Sequence, residues 1–472
     1  MRNKLSKRKI YQVNKLINLK EALYKCLISI VVLIAILIAS SETLVTDFNL
    51  SPSFANAQEN LVFGDGGKKQ DFMVQINEED EEIDIEEIQK EVIETSSNPE
   101  EADVDSRIAL IYDRASGKIL YEKNGNKQTP MASTTKIMTA IVVLENANLK
   151  DVVTIDSKAA GIGGSRLGLK KNDKITVNDL LYGLMLRSGN DAAVALANYV
   201  GGSVEGFAQM MNEKAKEMGL TNSHFIVPHG LDNDGHYTTA YELAKMADYA
   251  LKIDKFKQIV GTQNTTIYIN GYAKAINNTN KLLGSVSGVY GVKTGFTNGA
   301  GRCLVTACKR DDLDIITVII GADTTKQRTA DTIKLINYAY NNFEVINIKE
   351  IVEEKFEQWK AINQSRIYVN KGIKNNVELL LEDMPFENMA IKKNNKDKID
   401  VEVNSIFYLE APVAKNQVIA NMKITINGET LEILEVYSKE EIRKKEMQDY
   451  FIEFLEVINL VFGDGGKKQD LF

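Results

Sequence analysis

Residues 130–144, Pro-Met-Ala-Ser-Thr-Thr-Lys-Ile-Met-Thr-Ala-Ile-Val-Val-Leu, constrain the fold of this chain more than any other stretch. After Lys136 the apolar residues Ile137, Met138, Ala140, Ile141, Val142, Val143 and Leu144 cover nearly every face of a 3.6-residue period. A helix with that pattern has to be buried in the middle of a domain. At its entrance stand Ser133 and Lys136, three residues apart and so neighbours on one helix face. A hydroxyl beside an amine at the mouth of a buried helix suits a nucleophile. Desolvation favours the neutral amine, which can take the serine proton, and a helix N-terminus favours developing negative charge. Ser-x-x-Lys alone has little weight, since roughly one or two chance matches are expected in a chain this long.

The 472 residues allow two or three domains and a sizeable core. The chain opens with eight Lys/Arg up to Lys25, continues with an uncharged apolar run from Cys26 to Ser40, and reaches a small-x-small signal at Ala55-Asn56-Ala57. That order reads as a secretory signal over residues 1–57, with a retained anchor as the alternative. The remainder is then expected outside the cytoplasm. Residues 58–105 carry most of the acid: from Glu78 to Asp105 fourteen acids stand against Lys90, which predicts a solvated, flexible linker. Its Ile83, Ile85, Ile88, Val92 and Ile93 allow a transient helix. No basic patch points to nucleic acid. Cys303 and Cys308 fall five apart in one predicted strand, on opposite faces and roughly 16 Å apart, too far to bridge. His224, His229 and His236 form no metal-ligand spacing with cysteines, so no metal is expected, and the two latter histidines read as loop-satisfying residues.

A hairpin is predicted over 107–124, helices follow the Ser133 segment over 178–199, 207–218 and 240–251, with Asn178 as a helix cap. After Tyr290 the period changes to two, giving strands over 291–295, 302–309 and 313–321 and a closing helix over 326–342. Strands at both ends with helices between make an α/β body over 106–344. Residues 345–437 read as short alternating strands of a small all-β, sandwich-like domain. Residues 438–458 read as an amphipathic helix, with Met447, Tyr450, Phe451, Phe454, Leu455 and Ile458 on one side, that lies on a membrane surface or packs on the β domain. Asn60–Asp71 recurs residue for residue as Asn459–Asp470, within a tail 459–472. Chance does not produce twelve matching residues, yet the glycine-rich run lacks the full phosphate-loop pattern.

Two further motifs join the serine and lysine. Ser188-Gly189-Asn190 stands at a predicted helix end, and Lys293-Thr294-Gly295 on a predicted strand. Each is common alone; in this order, after Ser-x-x-Lys on a buried helix, the set is specific to penicillin-binding proteins and serine β-lactamases. Residues from about 105 to 435 resemble a serine-type D-Ala-D-Ala carboxypeptidase, a low-molecular-mass penicillin-binding protein. Gly163-Gly164-Ser165-Arg166, Pro228-His229-Gly230-Leu231 and Asn278-Thr279-Asn280-Lys281-Leu282-Leu283 support it. The resemblance implies a β-lactamase/transpeptidase-like α/β domain, an antiparallel sheet with helices on both faces, before the β domain. It also implies a tail helix at the membrane and no cofactor.

The implied reaction removes the terminal D-alanine of the peptidoglycan stem pentapeptide through an acyl-enzyme on Ser133, and β-lactam antibiotics would acylate the same serine. Lys136 is then the base and Ser188 the proton relay, while Asn190 orients Lys136 and the substrate amide. The peptide docks as an added strand beside Lys293, Thr294 and Gly295, its carboxylate on Lys293 and the Thr294 hydroxyl. Arg328, similar to the family's downstream arginine, assists there. Backbone N–H groups of Ser133 and Phe296 are the oxyanion donors; losing one such donor costs about 3 kcal/mol. Two rivals are a serine β-lactamase, for which no Glu-x-x-x-Asn arrangement follows Asn190, and an idle peptidoglycan-binding scaffold.

Overall fold

The computed structural model describes residues 83–95, 102–393 and 397–462. The basic and apolar N-terminal segment, the Ala55-Asn56-Ala57 signal, the first copy of the repeat and residues 463–472 lie outside the described residues.

The α/β body is built on one antiparallel sheet. Its strands are β1 (Ile108–Asp113), β2 (Ile119–Lys123), β3 (Val289–Thr297), β4 (Gly301–Arg310) and β5 (Leu313–Ala322), in the order β2-β1-β5-β4-β3. The first and last strands of the body therefore meet in the middle, where Leu110 pairs with Val318. Both faces of these central strands are covered, so β1 and β5 are apolar almost throughout rather than alternating.

One face carries the helices that fall between β2 and β3. They include α2 (Lys136–Asn146), α3 (Val177–Leu186), α4 (Asn190–Gly201) and α5 (Ala240–Leu251). Helix α2 runs through the centre of this layer: every residue from Lys136 to Val143 is buried. The other face is covered by α6 (Thr325–Asn342) and α1 (Ile85–Thr95), whose Ile85, Ile88 and Val92 pack in one cluster with Ile333 and Ile336. An antiparallel sheet with helices on both faces is thus the observed class. The α3 cap is Thr176, whose hydroxyl accepts from the Asp179 N–H, rather than Asn178.

Within the segment expected as a linker over 58–105, helix α1 forms at the isoleucines that allow one, and it is packed rather than transient. Isoleucines and valine at 85, 88 and 92 recur at helical spacing, so one stripe is buried while the acids face water. Glu91 adds an ion pair to Lys326 on α6 at 2.9 Å.

Beyond Asn342 the chain forms a separate core. A sheet of Leu379–Leu381, Ile399–Ser405, Val418–Ile426 and Glu429–Ser438 is its centre. The expectation of an all-β segment from 345 misses one element, helix α7 (Ile348–Asn363). Asn347 caps it by accepting from the Glu350 N–H, and Ile348, Val352 and Phe356 bury one face among the strand residues. The terminal helix is α8 (Met447–Phe462), not 438–458. Ser438 closes a strand, and Ile442 and Lys444 make bridges to Val413 and Gly372, so backbone pairing consumes the segment before the helix starts. At its other end α8 runs four residues into the repeated dodecapeptide. Cys303 and Cys308 are both buried on β4 and unbridged.

Candidate active site

Helix α2 enters through a tight 3-10 turn, Ala132–Thr135. The turn is held by its own hydroxyls: Thr134 Oγ1 donates to Met131 O at 2.5 Å and Thr135 Oγ1 to Ala132 O at 2.8 Å. Ala132 sits at φ 49°, a left-handed conformation that non-glycine residues seldom adopt. Backbone strain at the residue before Ser133 is the kind of irregularity that surrounding structure has to enforce. Part of that enforcement is Gly230 (φ 85°): a Cβ there would lie 1.9 Å from Ala132 O, so only glycine lets the 229–231 backbone press on the turn.

Lys136 is fully buried, and its Nζ hydrogen-bonds Ser133 Oγ at 2.8 Å, Asn190 Oδ1 at 2.8 Å and His229 O at 2.7 Å. Asn190, the first residue of α4, turns its Nδ2 to Gly163 O at 2.8 Å, which assigns the amide orientation and leaves Oδ1 for the lysine. Asn190 Oδ1 and His229 O can only accept. A neutral amine has two N–H donors and one lone pair. Donating to Asn190 Oδ1 and His229 O leaves the lone pair for Ser133 Oγ, which has a proton to give. The same geometry therefore accommodates the ammonium as three donors and the free amine as a base aimed at the serine.

Strand β3 closes the site from the other side. A Cβ on Gly295 would lie 3.0 Å from Ser133 N, 3.1 Å from Ala132 Cβ and 3.2 Å from Thr134 N, so the strand backbone rests directly on the turn that carries Ser133. Lys293 and Thr294 are both 1% exposed. Lys293 Nζ donates to Thr294 O at 2.8 Å, and the Thr294 hydroxyl lies 2.8 Å from that of Thr279. Asp232 ties the 229–239 segment to the end of the strand, accepting from Thr297 Oγ1 at 2.6 Å and Gly299 N at 2.9 Å. Phe296 faces Arg302 across the β3–β4 ladder, the guanidinium carbon 4.8 Å from the ring centroid.

Ser188, 5% exposed at φ 55°, occupies the sharp corner between α3 and α4. Ser133, Lys136, Asn190 and Gly295 are thus joined by direct contact, and Ser188 is two residues from Asn190. Arg328 stands in the first turn of α6, 4% exposed, outside the hydrogen bonds that join Ser133, Lys136 and Asn190.

Three features escape sequence reasoning. Asp191, fully buried, accepts from the backbone N–H groups of Leu167, Gly168 and Leu169 at 2.8–2.9 Å and from Ala192 N. It anchors the segment whose Gly163 carbonyl holds Asn190. In the sequence it reads only as an acid in a helix first turn. His229 contributes its carbonyl rather than its ring. Burial first, then Lys136 and His236, push that imidazole down to about 3, so it is neutral at pH 7. His236 reaches the site through Thr135, at 2.8 Å from Nε2 to Oγ1.

Residues 93–324 match the family model of D-alanyl-D-alanine carboxypeptidases, and residues 356–444 that of the penicillin-binding protein 5 C-terminal domain. Over 358 residues the chain is 33% identical to D-alanyl-D-alanine carboxypeptidase DacF of Bacillus subtilis, covering 75% of this chain and 88% of that protein. It is 34% identical to D-alanyl-D-alanine carboxypeptidase DacC of Escherichia coli over 70% of this chain and 82% of the relative. Penicillin binding protein 5 from Haemophilus influenzae superposes with a TM-score of 0.61 at 27% identity, covering 72% of this chain and 98% of that one. A buried Ser-x-x-Lys turn pressed against a Lys-Thr-Gly strand, two matching domain models and these relatives lead to one assignment: the chain belongs to the D-alanyl-D-alanine carboxypeptidase family and is a hydrolase of that class.

Proposed function

We propose that this enzyme removes the terminal D-alanine of the peptidoglycan stem pentapeptide through an acyl-enzyme on Ser133. The observation that carries the reading is the contact of the buried Lys136 Nζ with Ser133 Oγ at 2.8 Å, beside two oxygens that only accept, Asn190 Oδ1 and His229 O. Ser133 Oγ attacks the carbonyl carbon between the two D-alanines while its proton passes to the Lys136 amine. The carbonyl oxygen becomes an oxyanion between the N–H groups of Ser133 and Phe296. Collapse breaks the peptide bond, and the departing amine takes a proton relayed by Ser188 with Lys293. Water then cleaves the Ser133 ester and frees the shortened peptide.

The substrate strand adds to β3, where Gly295 permits close backbone approach and Lys293 with Thr294 receives the terminal carboxylate. Arg328 adds positive charge on that side. β-Lactams carry the same carbonyl-and-carboxylate pattern and acylate the same serine. We assign the chemistry to 106–344.

Export follows from the basic, apolar and cleavable order of residues 1–57. No helix among the described residues is long and apolar enough to cross a membrane. Helix α8 instead exposes Met447, Tyr450, Phe451, Ile452, Phe454, Leu455 and Val457, each between 44% and 84% accessible. That surface supports lodging at the outer face of the cytoplasmic membrane.

The test pairs fluorescent penicillin labelling of wild type and Ser133→Ala with D-alanine release from diacetyl-Lys-D-Ala-D-Ala. Wild type labels and releases D-alanine; Ser133→Ala does neither. Labelling or release by the variant overturns the nucleophile assignment.

A further inference from the structure

The Ala132 carbonyl and the Ser133 N–H belong to the same peptide unit. Because that unit is planar, whatever fixes the oxygen also aims the N–H. Ala132 O is held by the Thr135 hydroxyl at 2.8 Å, while the Gly230 backbone presses on it. Thr135 Oγ1 has one hydrogen, and that hydrogen goes to Ala132 O. Its second neighbour, His236 Nε2 at 2.8 Å, must then be the donor.

The ring is set up for this role. His236 Nδ1 accepts the Ile226 N–H at 3.1 Å, which places the remaining ring hydrogen on Nε2. Phe225 packs edge-on against the ring, centroids 5.9 Å apart at 78°, and the backbone N–H of His236 donates to Asn233 O at 3.0 Å. His236 is 4% exposed. One proton arrangement satisfies every group: Ile226 N–H to Nδ1, Nε2–H to Thr135 Oγ1, Oγ1–H to Ala132 O.

We propose that His236 is a positioning residue for the reaction, acting through Thr135 to hold the strained Ala132–Ser133 peptide plane so that the Ser133 N–H points at the developing oxyanion. The inference rests on Ser133 being the nucleophile and its N–H an oxyanion donor. A histidine donor suits the position because its two ring nitrogens have opposite roles. One accepts from a distant backbone N–H and the other donates to the turn, so the 224–236 segment and the nucleophile turn are tied by one rigid plane. Glutamine can reproduce the donor to Thr135 but not the acceptor at the Nδ1 position.

The test uses the full chain with His236→Ala, His236→Gln, Thr135→Val and the double variant Thr135→Val/His236→Ala, with Ser133→Ala as control. Second-order acylation by a fluorescent penicillin, kcat and KM for D-alanine release, and the melting temperature are measured together. Deleting an oxyanion donor outright costs about 10²–10³ in kcat, and releasing its orientation costs part of that. Thr135→Val and His236→Ala are each expected to lower acylation and kcat by about 10-fold with KM within about two-fold. His236→Gln should recover acylation to within about three-fold of wild type, and the double variant should be no slower than the slower single, as expected for two links of one chain.

Acylation within two-fold of wild type in Thr135→Val overturns the proposal, as do losses that multiply in the double variant or that follow the melting temperature. Should His236→Ala fail to fold, the Thr135→Val and His236→Gln results decide. A Ser133→Ala protein that still acylates would sink the nucleophile assignment; an inert Ser133→Ala with unaffected His236 and Thr135 variants would sink the positioning role alone.

Discussion

Asn190→Asp is the sharpest test of the proton inventory around Lys136. The substitution changes one N–H₂ to an oxygen and adds a negative charge without altering shape. In the wild type a neutral carbonyl oxygen, Asn190 Oδ1, accepts from Lys136 Nζ at 2.8 Å in a fully buried setting. With a carboxylate at that distance, the attraction for an ammonium is about 6 kcal/mol at an effective dielectric of 20. Desolvation of the new charge offsets part of this, and the contact to Gly163 O becomes repulsive, since both atoms are then acceptors. Even one quarter of the attraction, roughly 1.5 kcal/mol, is a ten-fold bias toward the ammonium, which cannot take the Ser133 proton.

Acylation by a fluorescent penicillin at pH 7 should therefore fall by about ten-fold or more, and the loss should shrink as pH is raised toward 10, because hydroxide restores the amine. Asn190→Ala, which removes the oxygen without adding charge, should be less impaired at pH 7 and should show no such alkaline recovery. Asn190→Asp that acylates within three-fold of wild type at pH 7, with an unmoved pH profile, would refute the neutral-amine mechanism.

Three other outcomes follow from the same structure. Asp191→Ala leaves four backbone N–H groups without their carboxylate, so urea unfolding should show a loss of about 3 kcal/mol, and Asp191→Asn should lose less. For His236, burial chiefly, then His224, with Asp232 opposing, push the imidazole from 6.5 down to about 4. The unfolded chain thus binds protons that the folded chain refuses, and this contribution, fully present above pH 6.5, is lost as pH falls from 6.5 toward 4. The unfolding free energy from urea titration should drop over that window, by up to about 3 kcal/mol from this group, and less in His236→Gln. Finally, Phe451→Asp/Phe454→Asp should weaken flotation with anionic phospholipid vesicles by at least about ten-fold, since each buried aromatic contributes roughly 2 kcal/mol, while D-alanine release stays unchanged.

Much of this protein can be read from spacing alone. The run after Lys136 demands burial on all sides, and that demand places Ser133 and Lys136 at the mouth of a central helix. The apolar stretches after Tyr290 located β3, β4 and β5 to within two residues, because strands covered on both faces leave long apolar runs bounded by turns. Local order is encoded in neighbours, and neighbours are what a sequence displays.

The tertiary structure decided what depends on residues far apart. Asp191 reaches back over twenty residues to three N–H groups, and a first-turn acid gives no sign of it. His229 acts through a carbonyl, which every residue possesses. Gly230 and Gly295 became intelligible only when the backbones they admit were found against Ala132 and Ser133. The isoleucine spacing allowed helix α1, but its seat against Ile333 and Ile336 of α6 appears only in the tertiary structure. A sequence specifies periodicity and the chemistry on offer; which groups meet is settled by chain closure, where burial makes each unsatisfied hydrogen bond costly and so selects one set of partners.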